Sequence, residues 1–213
     1  MKKIFSFLMA VCMLFSMAAC GVNSGQSQTG ASGSSEALEN GVSSPPAEIS
    51  SEGASRKSLV VYFSRTGNTE RVAEAIKKRT GADIFEIIPE TPYSDDYNTT
   101  TAAAQREQSE NARPPIKNRI DNIKDYEVIY VGYPIWWGDM PMLLYTFFDS
   151  YDLSGKIILP FCTSGGSGIS GTVSAIKELE PGAEVKEGLH IGSSSSASTD
   201  SALAGWLERS GIE

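Results

Sequence analysis

The segment Leu59-Val60-Val61-Tyr62-Phe63-Ser64-Arg65-Thr66-Gly67-Asn68-Thr69 decides how this chain reads. Its first five residues form an apolar run of strand length. From Arg71 to Thr80 the apolar residues Val72, Ala73, Ala75 and Ile76 recur at helical spacing, and Gly81 stands where a left-handed helix cap belongs. Ser64 to Thr69 is therefore a turn from a buried strand into a helix. Hydroxyl, Gly and Asn residues at such a turn offer a phosphate neutral side-chain donors, together with free N–H groups at the positive end of the helix dipole. No Lys follows Gly67, as a nucleoside-triphosphate loop requires, and no G-x-G-x-x-G opens the turn as in a dinucleotide site. A small phosphate monoester is the ligand left, although the same residues also make an ordinary helix cap.

Downstream, strand and helix patterns alternate. Residues 82–88 read as a second strand closed by Pro89, and a long crossover spans 90–126 with a helix over about 98–112 that Arg113-Pro114-Pro115 ends. Strands follow at 127–132, 156–162 and 185–191, and helices at 141–151, 170–179 and 200–210. Five such alternations predict an α/β fold, a doubly wound five-stranded parallel sheet with helices on both faces.

The motif Ser64-x-Thr66-Gly67-Asn68-Thr69 after a first strand resembles the flavodoxins. The resemblance implies strand order 2-1-3-4-5, with the ligand at the switch point outside the first and third strands. It also implies that Ser64, Thr66, Gly67, Asn68 and Thr69 hold the phosphate of FMN without a cationic side chain.

Two further loops fall on that same side. Tyr133-Pro134-Ile135-Trp136-Trp137-Gly138-Asp139-Met140 follows the third strand. Neighbouring side chains of an extended loop cannot both enter one core, so at least one Trp is expected to stack on something flat. The loop is similar to one that packs on the isoalloxazine ring in flavodoxins and FMN-dependent quinone reductases, which implies that Pro134, Ile135, Trp136, Trp137 and Gly138 hold one side of the ring. Gly138-Asp139 resembles the turn placed beside flavin N5, where a Gly carbonyl can swing inward and Asp139 adds negative charge. Thr163-Ser164-Gly165-Gly166-Ser167-Gly168 follows the fourth strand, and the resemblance sets Thr163, Ser164, Gly165 and Gly166 at the far edge of the flavin. This last loop lacks the Tyr that covers the second ring face in common flavodoxins. That face is then open to a substrate, or covered by Tyr93 and Tyr97 of the crossover.

Absences narrow the chemistry. His190 is the one histidine, and Cys162 is the one cysteine outside the first twenty residues. Neither a His-based triad nor a Cys/His metal site can be assembled from them, so no catalytic side chain and no metal is expected. His190 reads as a structural or surface residue and Cys162 as a small apolar core residue. Eighteen basic against 26 acidic residues give a net charge of −8. A chain so acidic repels nucleic acid and suits basic protein surfaces or small aromatic acceptors.

The N-terminus reads separately. Met1-Lys2-Lys3, an apolar run from Ile4 to Ala19 and the small residues before Cys20 form a signal peptide over 1–19. Met17-Ala18-Ala19-Cys20 resembles the bacterial lipobox, which implies a diacylated Cys20 and an extracytoplasmic lipoprotein on the cell membrane. Residues 20–57, rich in Ser and Gly, cannot bury enough surface to fold, and form a tether of about 30–35 Å reach. The domain is left at 58–213. Its expected role is FMN-dependent electron transfer to a redox partner protein or a small quinone-like acceptor. The alternatives are an NAD(P)H:quinone-type reductase and a binding module that has lost FMN. Replacing Cys20 with Ala is expected to move the protein from the membrane to the soluble fraction, and unchanged fractionation would refute the anchor.

Overall fold

A computed structural model describes residues 56–192 and 196–212. The expected signal peptide, Cys20 and the expected tether up to residue 55 lie outside them.

The strands are β1 (Ser58–Tyr62), β2 (Asp83–Glu86), β3 (Val128–Pro134), β4 (Ile157–Thr163), β5 (Glu184–Val185) and β6 (Leu189–Ile191). The helices are α1 (Asn68–Thr80), α2 (Tyr97–Ser109), α3 (Met142–Ser150), α4 (Ser170–Leu179) and α5 (Ser196–Ser210). The strands run parallel in the order β2-β1-β3-β4-β5, and β6 also pairs with β4. This is the expected flavodoxin-like order. The fifth position is divided, however. The Lys186 N–H still reaches the Ile158 carbonyl, but Pro160, the next residue of β4 to face this strand, has no N–H to give the ladder, so residues 186–188 separate β5 from β6, and the Glu187 carbonyl accepts the Trp206 indole N–H at 2.8 Å.

Alternation along the strands builds two cores. Leu59, Val61 and Phe63 of the first strand run join Ile129, Val131, Tyr133, Leu143, Phe147 and Ile176 on the face of α3 and α4. Val60 and Tyr62 point the other way, to Val72, Ile76, Tyr130, Phe161, Leu203 and Trp206 under α1 and α5. The third strand continues two residues past its expected end because Tyr133 and Pro134 pair with Cys162 and Thr163, and a proline is tolerated where a strand finishes. Gly81 caps α1 in the left-handed conformation, φ 69°, and donates its N–H to the Lys77 carbonyl. Lys57, assigned by composition to the tether, is tied into the domain: its carbonyl accepts the Glu127 N–H at 2.9 Å and its ammonium lies 3.8 Å from Asp125. No helix among the described residues is long and apolar enough to cross a membrane.

One acidic group is held inside. Glu180, just after α4, is 7% exposed. Burial pushes its carboxyl up to about 7, with repulsion from Asp152 and Asp149 adding to the shift and a backbone hydrogen bond from Leu153 opposing it. The native state then holds the Glu180 proton more tightly than the unfolded chain, so stability is lost as pH rises from the ordinary carboxylate range through about 7. Glu180→Gln is expected to remove about 1–3 kcal/mol of this loss, read as a difference in urea-unfolding free energy between pH 5 and pH 8.

Candidate functional site

The carboxyl ends of β1, β3 and β4 open onto a cleft of about 850 Å³. All three loops singled out in the sequence meet there. Ser64, Thr66, Asn68 and Thr69 line one end, Pro134, Ile135, Trp136, Trp137 and Gly138 one wall, and Thr163, Ser164 and Gly165 another. Gly67 and Gly166 do not line the cleft. They shape its turns instead, at φ 78° and 146°.

The turn over Ser64–Thr69 leads from β1 into α1. Gly67 is the N-cap of α1 and no side-chain hydrogen bond caps the helix, so the first-turn N–H groups lack the partner a capping hydroxyl supplies. Thr69 lies on the floor, 1% exposed, and its hydroxyl meets that of Thr163 at 2.9 Å, which locks the first loop to the third. Arg65 and Arg71 also line this cleft.

The two tryptophans divide their roles. Trp136 is half-buried and sits edge-on to Phe63 and Tyr93, with ring centroids 5.6 and 5.0 Å apart. Trp137 is 55% exposed on the rim and donates its indole N–H to the Thr101 carbonyl of α2 at 2.9 Å. Trp136 and Asp139 exchange backbone hydrogen bonds of 2.8 and 3.1 Å around a two-residue turn, with φ 51° at Trp137 and 81° at Gly138. Positive φ at both central residues is the primed hairpin turn. Glycine adopts it freely, whereas a bulky aromatic at such a φ is an outlier that its surroundings must hold. The Thr101 bond is one such restraint.

Asp139 departs from the expected arrangement. Its two carboxylate oxygens accept the Met140 N–H and the Tyr145 hydroxyl, each at 2.8 Å, so the group is turned to the start of α3 and does not line the cleft. Burial and this carboxylate hold the Tyr145 phenol well above its ordinary range.

The crossover contributes another part of the lining. Tyr97, Thr100, Thr101 and Ala104 of α2 line the cleft, and Tyr97 stands 71% exposed at its mouth. Tyr93 does not reach it. Its ring packs on Trp136 and its hydroxyl donates to Glu107 at 2.8 Å, while burial and that bond hold the phenol far above its usual range. Arg65 ties this wall to the first loop, donating from Nε to the Ser94 carbonyl at 3.1 Å and from its terminal nitrogen to the Asp95 carbonyl at 2.7 Å. The signal for these contacts was an arginine inside the first motif, but its partners lie about 30 residues away and no local pattern reveals them.

His190 has a structural partner that no local pattern reveals. Its Nε2 lies 2.8 Å from the Ser164 hydroxyl and so braces the third loop. Cys162 is buried as expected, and burial pushes its thiol up to about 12. Among the described residues no group of His, Cys, Asp and Glu side chains gathers in a metal-binding arrangement.

The Trp137 bond yields a test. Trp137→Phe keeps an aromatic ring and removes the donor to Thr101. A hydrogen bond of about 0.5–1.5 kcal/mol is lost, so α2 amides are expected to exchange roughly 2–10-fold faster in hydrogen-exchange mass spectrometry. Unchanged exchange would show that α2 is held by other contacts.

A family model described as flavodoxin matches residues 57–210. Among solved structures, a candidate flavoprotein from Bacteroides eggerthii DSM 20697 is 36% identical, with TM-score 0.65 over 72% of this chain and 97% of that one. A second, from Bacteroides uniformis ATCC 8492, is 31% identical, with TM-score 0.64 over 70% of this chain and 98% of that one. A flavoprotein from Lactobacillus acidophilus NCFM, solved in complex with FMN, is 25% identical, with TM-score 0.59 over 71% of this chain and 99% of that one. No curated protein matches the chain. With its switch-point cleft and a family match that spans the folded domain, the chain belongs to the flavodoxin family.

Proposed function

We propose that the chain binds FMN in this cleft and acts as an electron-transfer flavoprotein. The observation that carries the reading is the convergence of an uncapped helix N-terminus, a set of hydroxyl donors and an aromatic wall on one cleft. The donor set suits a phosphate monoester: neutral hydroxyls and backbone N–H groups at one end, with the positive end of α1 behind them. A volume of about 850 Å³ is ample for a ligand the size of a mononucleotide. The flavoprotein from Lactobacillus acidophilus NCFM that was solved in complex with FMN supports the same choice of cofactor.

When bound, FMN supplies one- and two-electron redox chemistry that the side chains lack. The protein's part is to bind and orient. Ser64, Thr66 and the first turn of α1 would take the phosphate. Trp136, braced by Phe63 and Tyr93, would give the ring a rigid wall, and α2 would exclude water from the opposite side. The Cys162 thiol, kept protonated by burial, would stay out of the chemistry.

The aromatic rim formed by Trp137 and Tyr97 favours a second reading, a reductase that takes electrons from a nicotinamide and delivers them to a flat quinone-like acceptor. Anaerobic mixing with NADH or NADPH separates the two. Bleaching of the bound flavin without another protein favours the reductase, and persistence of the oxidised spectrum favours the carrier. Acylation at Cys20 would set either activity at the outer face of a bacterial membrane, close to lipid-soluble acceptors and membrane redox partners.

FMN uptake decides the reading itself. A colourless protein that takes up no added FMN would overturn it. Thr66→Ala removes one donor to a charged ligand, worth about 1.5–3 kcal/mol, so FMN affinity is expected to fall by roughly one to two powers of ten. Riboflavin affinity is expected to change little in the same fluorescence titration.

A further inference from the structure

Arg65 and Arg71 are the two cations of the cleft, and neither forms an ion pair within the described residues, where six other basic side chains do. Arg65 is committed to the Ser94 and Asp95 carbonyls. Arg71 turns back along α1 and donates to Asn68 Oδ1. A guanidinium has only donors, so the Asn68 carbonyl oxygen must face it and the Asn68 amide nitrogen must face the other way. That nitrogen donates to Thr66 Oγ1 at 3.1 Å. A hydroxyl that accepts there has its own hydrogen left to donate elsewhere, and Thr66 lines the cleft.

Charge points in the same direction. Glu70 lies on the same turn, its Oε2 3.6 Å from where a Cβ on Gly67 would stand, and it works against any anion held there. Arg71, one residue on, offsets it.

On the basis of the FMN reading above, we infer that Arg71 is a positioning residue of the phosphate cradle: through Asn68 it aims the Thr66 hydroxyl at the phosphate, and its guanidinium supplies the charge that makes this site select the phosphorylated flavin. The recognition then differs from an electroneutral cradle in being sensitive to salt, because a guanidinium that meets a phosphate gives up its counterion.

The test uses the full chain freed of flavin and titrated with FMN and with riboflavin at 20 mM and 500 mM salt. Arg71 is exposed, and Arg71→Met and Arg71→Gln both suit a helix surface. Both variants are expected to lose about tenfold in FMN affinity while riboflavin affinity stays within about twofold, and the salt dependence of FMN binding should flatten. Arg71→Lys is expected to restore the salt dependence. Asn68→Ala, which breaks the relay and keeps the charge, should weaken FMN binding without flattening it. Equal losses for both ligands, or unchanged FMN affinity in Arg71→Met and Arg71→Gln, would overturn the inference. A wild-type chain that binds riboflavin as tightly as FMN would overturn it and leave the flavin reading standing. One that binds neither would overturn the flavin reading, and this inference with it.

Discussion

The parallel pairing of β1 with β3 is the constraint on which the rest of the molecule depends. Ser58 to Tyr62 lie in register with Val128 to Gly132, and the Phe63 N–H extends the ladder to the Gly132 carbonyl. With β2 on the outer side of β1 and β4 on the outer side of β3, the chain leaves the two central strands in opposite directions. Their loops diverge, and a crevice opens between them that no crossover fills. Phe63 and Trp136, side chains from the ends of these two runs, meet edge-on at the cleft and give it a stiff base. The Thr69 to Thr163 hydroxyl contact then fastens the third loop to the first.

Around this base the cleft is closed by bonds from side chains to backbone rather than by apolar packing. Helix α2 buries only Thr100 and Ala104, and its sequence is mostly polar. It is held at one end by Arg65, whose Ser94 acceptor also takes the Thr100 hydroxyl at 2.7 Å, and partway along by the Trp137 indole. An element with so little buried apolar surface belongs to the low-stability end of a fold. This wall is therefore tied to the loops that it helps enclose, and the state of those loops bears directly on how it sits. The tyrosines before and within α2 differ for the same reason: Tyr93 is drawn under Trp136 by its bond to Glu107, and Tyr97 is left at the mouth.

Charge is distributed unevenly over this acidic chain. The net charge is −8, yet two arginines stand in the cleft, and Asp139, the acidic residue nearest the tryptophans in sequence, is turned away to Met140 and Tyr145. The cleft thus carries two cations beside one lining carboxylate, Asp200, within an acidic chain. The long crossover contributes on both counts, since it brings carbonyls to Arg65 and sets Arg113 over the Tyr145 ring, where the guanidinium also meets Asp149.

The resemblance carried by the Ser64–Thr69 motif implied the strand order, and the sequence by itself determined the fold class and the three loops at one end of the sheet. Each rests on a local pattern: apolar runs of strand length, helical spacing after Gly67, and turns built of Gly, Ser and Asn. Of the residues expected to hold FMN, Gly67 and Gly166 stand back from the cleft, because a glycine at positive φ shapes the backbone without having to face the ligand. Tertiary structure alone decided which tryptophan packs and which faces solvent, since adjacent residues with the same side chain carry no signal of direction until Phe63, Tyr93 and Thr101 are in place. It alone assigned Arg65 to the crossover, His190 to Ser164 and Asp139 to α3, three hydrogen-bonding choices open to any polar side chain and settled by which elements lie within reach. It also divided the fifth strand, because the register of β4 sets Pro160, which has no N–H, where that strand needs a donor. Periodicity is a property of neighbours along the chain. Partners that lie on separate elements are chosen by the packing.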